Sequence, residues 1–138
     1  MSEDGFHNDI QVKTRFCIDK SSPDRVYEFV SNPSNLPRWA AGLSGSIEEI
    51  EGDLIAESPM GRVKIKFASD NTFGILDHYV MLPSGEIIYN PMRVFQNENG
   101  SELVFTLYQR PGMSDQNFRH DEELVASDLQ RLKSLIEK

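Results

Sequence analysis

Two adjacent polar residues, Asp77 and His78, interrupt the apolar run FGILDHYVML. Side chains of a β-strand point alternately to its two faces, so one of the pair is expected to face the core and the other solvent. A carboxylate or an imidazole on the core side needs a hydrogen-bonding or charged partner. Asp77 and His78 are therefore the candidate catalytic residues, suited to moving a proton or to holding a polar atom of a ligand.

Arg93, on the next strand-like segment, is the expected partner of this pair. Counting outward from the turn sequence PSGE places Asp77 opposite residue 92 and His78 opposite residue 91, so Arg93 is a neighbour of both. A slip of one residue changes which of them it meets. Two interpretations stay open. Either an Asp–Arg or His–Asp pair fastens the hairpin, or Arg93 holds ligand oxygens at the wall of a cavity.

Aromatic side chains would form most of the wall of such a cavity. A tyrosine adds a hydroxyl group that can reach a ligand, although most aromatic residues in strands serve packing. The expected ligand-binding residues are Trp39, Phe67, His78, Tyr79, Tyr89, Arg93, Tyr108 and Phe118. Because neighbouring strand residues point to opposite faces, we expect about half of this set to reach the cavity.

Other site chemistries lack their residue patterns. His78, His120 and Asp121 do not have the spacing of metal ligands. No glycine-rich loop leads from a strand into a helix, as a phosphate site would require. Cys17 has no histidine near it in sequence, which argues against a catalytic thiol. We expect neither a metal nor a cofactor.

Composition limits the partners and the compartment. The 138 residues form a chain long enough for one domain with its own core. A net charge of −8 opposes binding to a phosphate backbone, and no apolar run approaches the roughly 20 residues of a membrane span. The single cysteine suits a reducing compartment, and the start MSEDGFHNDI lacks a signal peptide. We expect a cytoplasmic monomer or homodimer that binds neither nucleic acid nor membrane.

A change of hydrophobic period divides the first part of the chain. A flexible end is predicted at 1–9, and the single domain at 10–138 starts with a strand of alternating residues up to Ile18. Ser22 can cap a helix and Pro23 suits its first position. A second short helix carries Trp39, so two short helices are predicted between the first and second strands.

The remaining chain predicts a meander followed by one long helix. The predicted strands are 46–51, 53–58, 62–68, 72–82, 86–96 and 101–110. The short turns between them force neighbouring strands to be antiparallel. The helix at 114–137 carries an apolar stripe that must be buried against the apolar face of the sheet. The sequence therefore predicts an α+β helix-grip fold, a seven-stranded curved antiparallel sheet wrapped around the C-terminal helix.

The segment SSPDRVYEFVSNPSNLPRWAAG resembles the N-terminal signature of the SRPBCC superfamily, also called START-like or Bet v 1-like. The later sequences LDHYV, NPMRV and DLQRLKSLIEK resemble a bacterial subgroup of polyketide cyclase/dehydrase-type proteins. The resemblance extends from about Ile10 to Glu137 and implies the helix-grip fold. The superfamily includes lipid carriers, hormone receptors, cyclases and chaperone activators, so the resemblance does not select one function.

Three functions follow from the residues and the resemblance. The first is binding of a small hydrophobic or aromatic molecule in a cavity between the curved sheet and the C-terminal helix. The second is a polyketide cyclase/dehydrase-like enzyme, in which the cavity orients a small hydrophobic substrate and one or two polar groups move protons. The third is a protein-interaction module like the chaperone activators.

Overall fold

The computed structural model describes residues 11–18, 20–40 and 42–138. Within these residues the elements are β1 (Gln11–Ile18), α1 (Pro23–Ser31), a 3-10 turn (Pro33–Asn35), α2 (Leu36–Trp39), β2 (Ser44–Ile50), β3 (Asp53–Ser58), β4 (Gly61–Phe67), β5 (His78–Met81), β6 (Ile87–Asn90), β7 (Met92–Asn97), β8 (Gly100–Tyr108) and α3 (Asp115–Ile136). The predicted flexible end, 1–9, lies outside the described part of the chain.

The strands form two antiparallel sheets that join into one curved surface. Their orders are β2-β3-β4-β5-β6 and β1-β8-β7. The predicted strand 86–96 is divided at Pro91, so the prediction of seven strands was wrong and the described chain has eight. Proline has no N–H for the ladder and fixes its own φ, which allows the chain to bend there. The Leu76 N–H donates to the Met92 carbonyl (2.8 Å) and so links β7 to the segment before β5.

Both main helices begin at the predicted serine caps. The Ser22 hydroxyl accepts a hydrogen bond from the Arg25 N–H (3.2 Å), and Pro23 occupies the first turn of α1. The Ser114 hydroxyl accepts one from the Asn117 N–H (3.1 Å). Each cap satisfies an amide that the helix itself leaves without a partner, which fixes where the helix begins.

The C-terminal helix lies against the inner face of the sheet, as the sequence predicts. Its buried residues are Phe118, Leu129, Leu132 and Ile136, and they share one core with inner residues of β3, β4, β7 and β8. The Arg25 guanidinium donates to the Ile136 carbonyl (3.2 Å), and the Arg131 guanidinium donates to the Trp39 carbonyl (3.0 Å). The fold is therefore a curved antiparallel sheet closed on α3, with α1 and α2 between β1 and β2.

The outer face of the sheet is polar along β4. Val63 and Ile65 are buried, whereas Arg62, Lys64 and Lys66 alternate with them and are exposed. Across the described residues, no helix combines the length and the apolar composition needed to cross a membrane.

Candidate functional site

The β5–β6 hairpin closes one residue away from the predicted register. The Leu82 N–H donates to the Glu86 carbonyl (2.9 Å), so three residues form the loop, and Gly85 takes a positive φ of 93° within it. His78 consequently lies opposite Asn90 rather than residue 91, and that predicted pairing was wrong. His78 lies on the inner face of the sheet, where it is buried.

On the outer face, the Asp77 carboxylate is the centre of a hydrogen-bond network. It accepts bonds from the Met92 N–H (2.9 Å), from Nε and Nη2 of Arg93 (2.9 and 2.7 Å), and from the Tyr89 hydroxyl (3.0 Å). The hydrogen bonds from Arg93 are the main reason that the pKa of Asp77 lies below its ordinary value. Because the Asp77 side chain is only 13% exposed, this carboxylate acts mainly as a fastener between β5 and the β6–β7 bend.

Two further predicted site residues also lie on this outer face. The Arg93 side chain is 51% exposed, and its hydrogen bond with Asp77 raises the pKa of the guanidinium. The ring of Tyr79 stacks on the ring of Tyr89 with a centroid distance of 5.0 Å. Arg93 and Tyr79 therefore lie on the opposite side of the sheet from His78.

His78 is the inward-facing member of the predicted pair. It is 8% exposed, with the rings of Phe67 and Phe105 at centroid distances of 4.8 and 6.0 Å. Its Nδ1 lies 3.1 Å from the Leu76 carbonyl oxygen, which can only accept, so Nδ1 carries the proton. Its Nε2 lone pair then faces the amide of Asn90 at 3.5 Å. Burial lowers the pKa of His78, so the ring is a neutral base.

This burial predicts a loss of stability in mild acid. In the unfolded chain His78 takes up a proton near its ordinary pKa of about 6.5, whereas the folded chain disfavours that proton. The free energy of unfolding should therefore fall by up to about 1.4 kcal/mol for each pH unit below that value, until the lowered pKa is reached. Urea unfolding at a series of pH values measures the free energy of unfolding as a function of pH. Between about pH 5 and 7 this free energy should change less steeply with pH for His78→Phe than for the wild type.

The exposed His120 provides the control for this measurement. His120→Gln should keep the wild-type slope, because the His120 side chain is exposed to solvent in the folded chain as well as in the unfolded one. Equal slopes for the wild type and His78→Phe would contradict a neutral, buried His78.

A cleft of about 440 Å³ opens where β6 and β8 separate. At one end the Thr106 N–H donates to the Pro91 carbonyl (2.9 Å), and at the other the Arg110 guanidinium pairs with Glu86 (2.6 Å). Between these two bridges the strands part, and α3 lies behind them. The cleft is lined by Ile87, Ile88, Tyr89, Asn90, Leu107, Tyr108, Gln109, Arg110, Pro111 and Asp121. Its volume falls in the range of small-molecule sites.

Polar groups lie at the wall of this cleft. The Asn90 amide connects the cleft to the buried His78 ring. The Gln109 amide nitrogen donates to the Met113 carbonyl and to the Asp115 carboxylate, both at 2.9 Å. These two acceptors fix which end of the amide carries the nitrogen, so the Gln109 oxygen points the other way. That oxygen is buried and has no hydrogen-bond partner within the described structure.

The predicted ligand-binding residues thus fall into four places. Tyr89 and Tyr108 line the cleft, and His78, with Phe67 beside it, reaches the cleft through Asn90. Trp39 and Phe118 are buried in the core, and the indole N–H of Trp39 has no partner among the described residues. Tyr79 and Arg93 lie outside. As for metal, the described residues contain no group of three histidine, cysteine or acidic side chains that could hold an ion.

Sequence reasoning missed Asn90 and Gln109. Both stand directly before a strand-ending feature, Asn90 before Pro91 and Gln109 before the sequence RPG. Polar residues at such breaks lie where a ladder opens and its backbone groups lose their partners. That position is a usable signal for a site at the edge of a gap in a sheet.

Comparisons with known proteins support the fold. No protein-family model matches the sequence, and no curated protein sequence matches it either. Solved structures are similar: Aha1 from Colwellia psychrerythraea, determined in solution as a dimer, has a TM-score of 0.73 at 17% identity over 93% of this chain and 96% of that one.

Two further solved structures share the architecture. Ara h 8.0201 has a TM-score of 0.71 at 14% identity, covering 94% of this chain and 98% of its own. DynU16, from the dynemicin biosynthetic locus, has a TM-score of 0.70 at 15% identity, covering 93% of this chain and 47% of its own. The chain therefore has the Bet v 1-like helix-grip fold. At these identities the likeness is one of fold.

Proposed function

We propose that the protein binds a small hydrophobic or aromatic molecule in the cleft between β6, β8 and α3. The observation that carries this proposal is the open, mostly apolar gap in an otherwise continuous sheet. Ile87, Ile88 and Leu107 supply apolar surface, and two tyrosine rings add to it. A concave, mostly apolar site with a few polar groups is the usual form of a small-molecule pocket.

The polar groups of the cleft orient the bound molecule. The Asn90 amide can donate to a ligand oxygen while His78 holds its position from behind. The Tyr108 hydroxyl and the Asp121 carboxylate offer further polar contacts at the wall. Because an unpaired polar group in such a site weakens binding, a ligand with one hydroxyl or carbonyl group fits better than a pure hydrocarbon.

Native mass spectrometry of freshly purified protein tests this proposal. We expect a fraction of the protein to carry a bound molecule of small mass, which denaturation releases. Ile88→Trp should lose most of that fraction, because the larger side chain fills the gap between β6 and β8. If the protein is purified without a bound molecule, the affinity for the neutral probe N-phenyl-1-naphthylamine is compared between the wild type and Ile88→Trp.

Ile50→Trp is the matched control, since Ile50 is an isoleucine exposed to solvent away from the cleft lining. It should keep both the bound molecule and the affinity for the probe. If the wild type neither carries a small molecule nor binds the probe, or if Ile88→Trp binds as well as the wild type, the cleft is not the binding site.

A second candidate function, a polyketide cyclase/dehydrase-like enzyme, is favoured by the state of His78. A neutral imidazole whose Nε2 faces the Asn90 amide at the cleft wall is suited to accept a proton from an activated substrate carbon or hydroxyl once a substrate displaces that amide. This function requires a substrate that is turned over. With the co-purified molecule or its oxidised analogues as substrates, His78→Phe should abolish turnover while binding persists.

The overall charge supports the same class of partner. A net charge of −8 and a single cysteine favour a cytoplasmic protein that binds a small molecule rather than nucleic acid or a membrane. Size-exclusion chromatography with light scattering would distinguish a monomer from a homodimer.

A further inference from the structure

A second groove, of about 530 Å³, carries two large exposed aromatic side chains. Phe73 is 79% exposed and Phe95 is 45% exposed. Both line the groove together with Asp24, Tyr27 and Glu28 of α1 and with Asn71 and Gly74 of the loop before β5. None of these residues lines the cleft between β6 and β8. The groove is therefore a separate surface, formed by α1, the loop before β5 and β7.

The loop that presents Phe73 is fixed by Asn71. The Asn71 side-chain oxygen accepts from the Phe73 and Ile75 N–H groups, each at 3.0 Å. Its amide nitrogen donates to the Ser69 carbonyl (3.0 Å) and the Ile75 carbonyl (2.9 Å). One side chain thus closes the loop with four hydrogen bonds. Because these bonds fix the backbone of the loop that presents Phe73, the loop has little backbone entropy left to lose on binding.

The frame is also attached to the rest of the molecule on both sides. The Asn71 N–H donates to the Tyr27 hydroxyl (3.0 Å), which connects the loop to α1. The Val94 N–H donates to the Gly74 carbonyl (3.0 Å), which connects it to β7. Gly74 has a φ of 75°, and a Cβ atom there would lie 2.1 Å from the Val94 carbonyl oxygen. The backbone approaches β7 so closely that only glycine fits.

The groove is acidic. Asp24 and Glu28, spaced i and i+4 on α1, are exposed and line it, and no basic side chain does so among the described residues. Arg25, also on α1, donates instead to the Ile136 carbonyl (3.2 Å). A binding segment would therefore meet negative charge beside the two phenylalanines, which favours lysine and arginine in the partner.

We propose that this groove is a docking site for a basic peptide segment of another protein, with an apolar residue that packs on Phe73 and Phe95. Two exposed aromatic side chains beside complementary charge suit a peptide-binding surface, because a few large aromatic anchors carry most of the binding energy of an interface. A second copy of this chain is the poorer occupant, because each copy would bring Asp24 and Glu28 to the interface and the whole chain carries −8.

A displayed library of random peptides selected on the full-length protein tests this inference without guessing a sequence. Each selected peptide is then measured against the wild type, Phe73→Ala and Glu28→Lys. We expect the enriched peptides to combine an aromatic or large aliphatic residue with lysine or arginine. Phe73→Ala should weaken them about tenfold or more, and Glu28→Lys should weaken them and reduce the dependence of affinity on salt.

Leu124→Ala is the matched control, because Leu124 is a large apolar residue, 49% exposed, on α3 and outside the groove lining. It should leave the affinities unchanged, and Phe73→Ala should keep the wild-type melting temperature because the ring is mostly in solvent. The inference is overturned if selection yields no peptide that prefers the wild type over Phe73→Ala, or if the enriched peptides are acidic. A dimer in sedimentation analysis that Phe73→Ala dissociates would assign the groove to self-association instead.

Discussion

Leu129→Ala and Leu132→Ala are each expected to lower the free energy of unfolding by about 2–5 kcal/mol. Both side chains lie on the face of α3 that the curved sheet encloses, with 1% and 0% exposure. Truncation removes the transfer free energy of the lost methyl and methylene groups, and the cavity left behind adds to the loss because close-packed neighbours relax only in part. Urea unfolding followed by circular dichroism at neutral pH measures the change.

Gln130, between these two leucines in sequence, provides the control. It is exposed on the opposite side of α3, and alanine is the better helix former, so Gln130→Ala should change the free energy of unfolding by less than about 0.5 kcal/mol. Comparable losses at all three positions would mean that α3 does not present one stripe to the sheet. The comparison thus tests the feature from which the helix-grip fold was predicted.

The hydrophobic period of the sequence and the helix-capping residues were enough to predict the helices and their placement. Both serine caps and the apolar stripe are local properties, each decided by residues within one or two turns. The division of the predicted strand 86–96 was missed because Pro91 follows a run that otherwise reads as strand on both sides. A proline can end a strand or bend it, and the outcome depends on whether a neighbouring strand donates an N–H to the proline carbonyl, as Thr106 does to Pro91 here.

The partners within the hairpin were harder to predict, because the register depends on one loop residue. The sequence PSGE allows closure by a pair at 83 and 86 or at 82 and 86. Gly85 adopts a positive φ, which suits the longer loop. Every residue of β5 therefore pairs with the β6 residue one position before the predicted one. The identity of the inward member, His78, follows from the fold around the strand rather than from the run in which it lies.

The cleft could not be found from sequence for a different reason. It exists because β6 and β8 separate beyond Pro91, and that separation is set by the curvature of the whole sheet over α3. Alternation assigns a residue to a face but says nothing about a gap between two strands. Tyr89 and Tyr108 belong to the outward-facing residues of their strands, but both border that gap and therefore reach the cleft.

Asp77→Ala is expected to lower the free energy of unfolding by about 2–4 kcal/mol, more than any other change in the outer network. The carboxylate accepts the Met92 N–H at the point where Pro91 interrupts the ladder, and Met92 is fully buried. Its removal leaves that N–H without a partner and also frees the guanidinium of Arg93. Because the pKa of Asp77 is lowered, its contribution is complete at neutral pH and is lost only in acid below the ordinary carboxyl value of about 4.

Arg93→Met distinguishes this fastening role from that of a ligand anchor. The guanidinium is half exposed, so solvent weakens its hydrogen bonds, and Arg93→Met should lower the free energy of unfolding by about 0.5–1.5 kcal/mol. Tyr89→Phe should lower it by less. Because Arg93 does not line the cleft, the affinity for N-phenyl-1-naphthylamine should stay at the wild-type value. Melting temperature and probe titration on the same samples measure both effects. A tenfold weaker binding with unchanged stability would instead assign Arg93 to the ligand and move the site to the outer face of the β5–β6 hairpin.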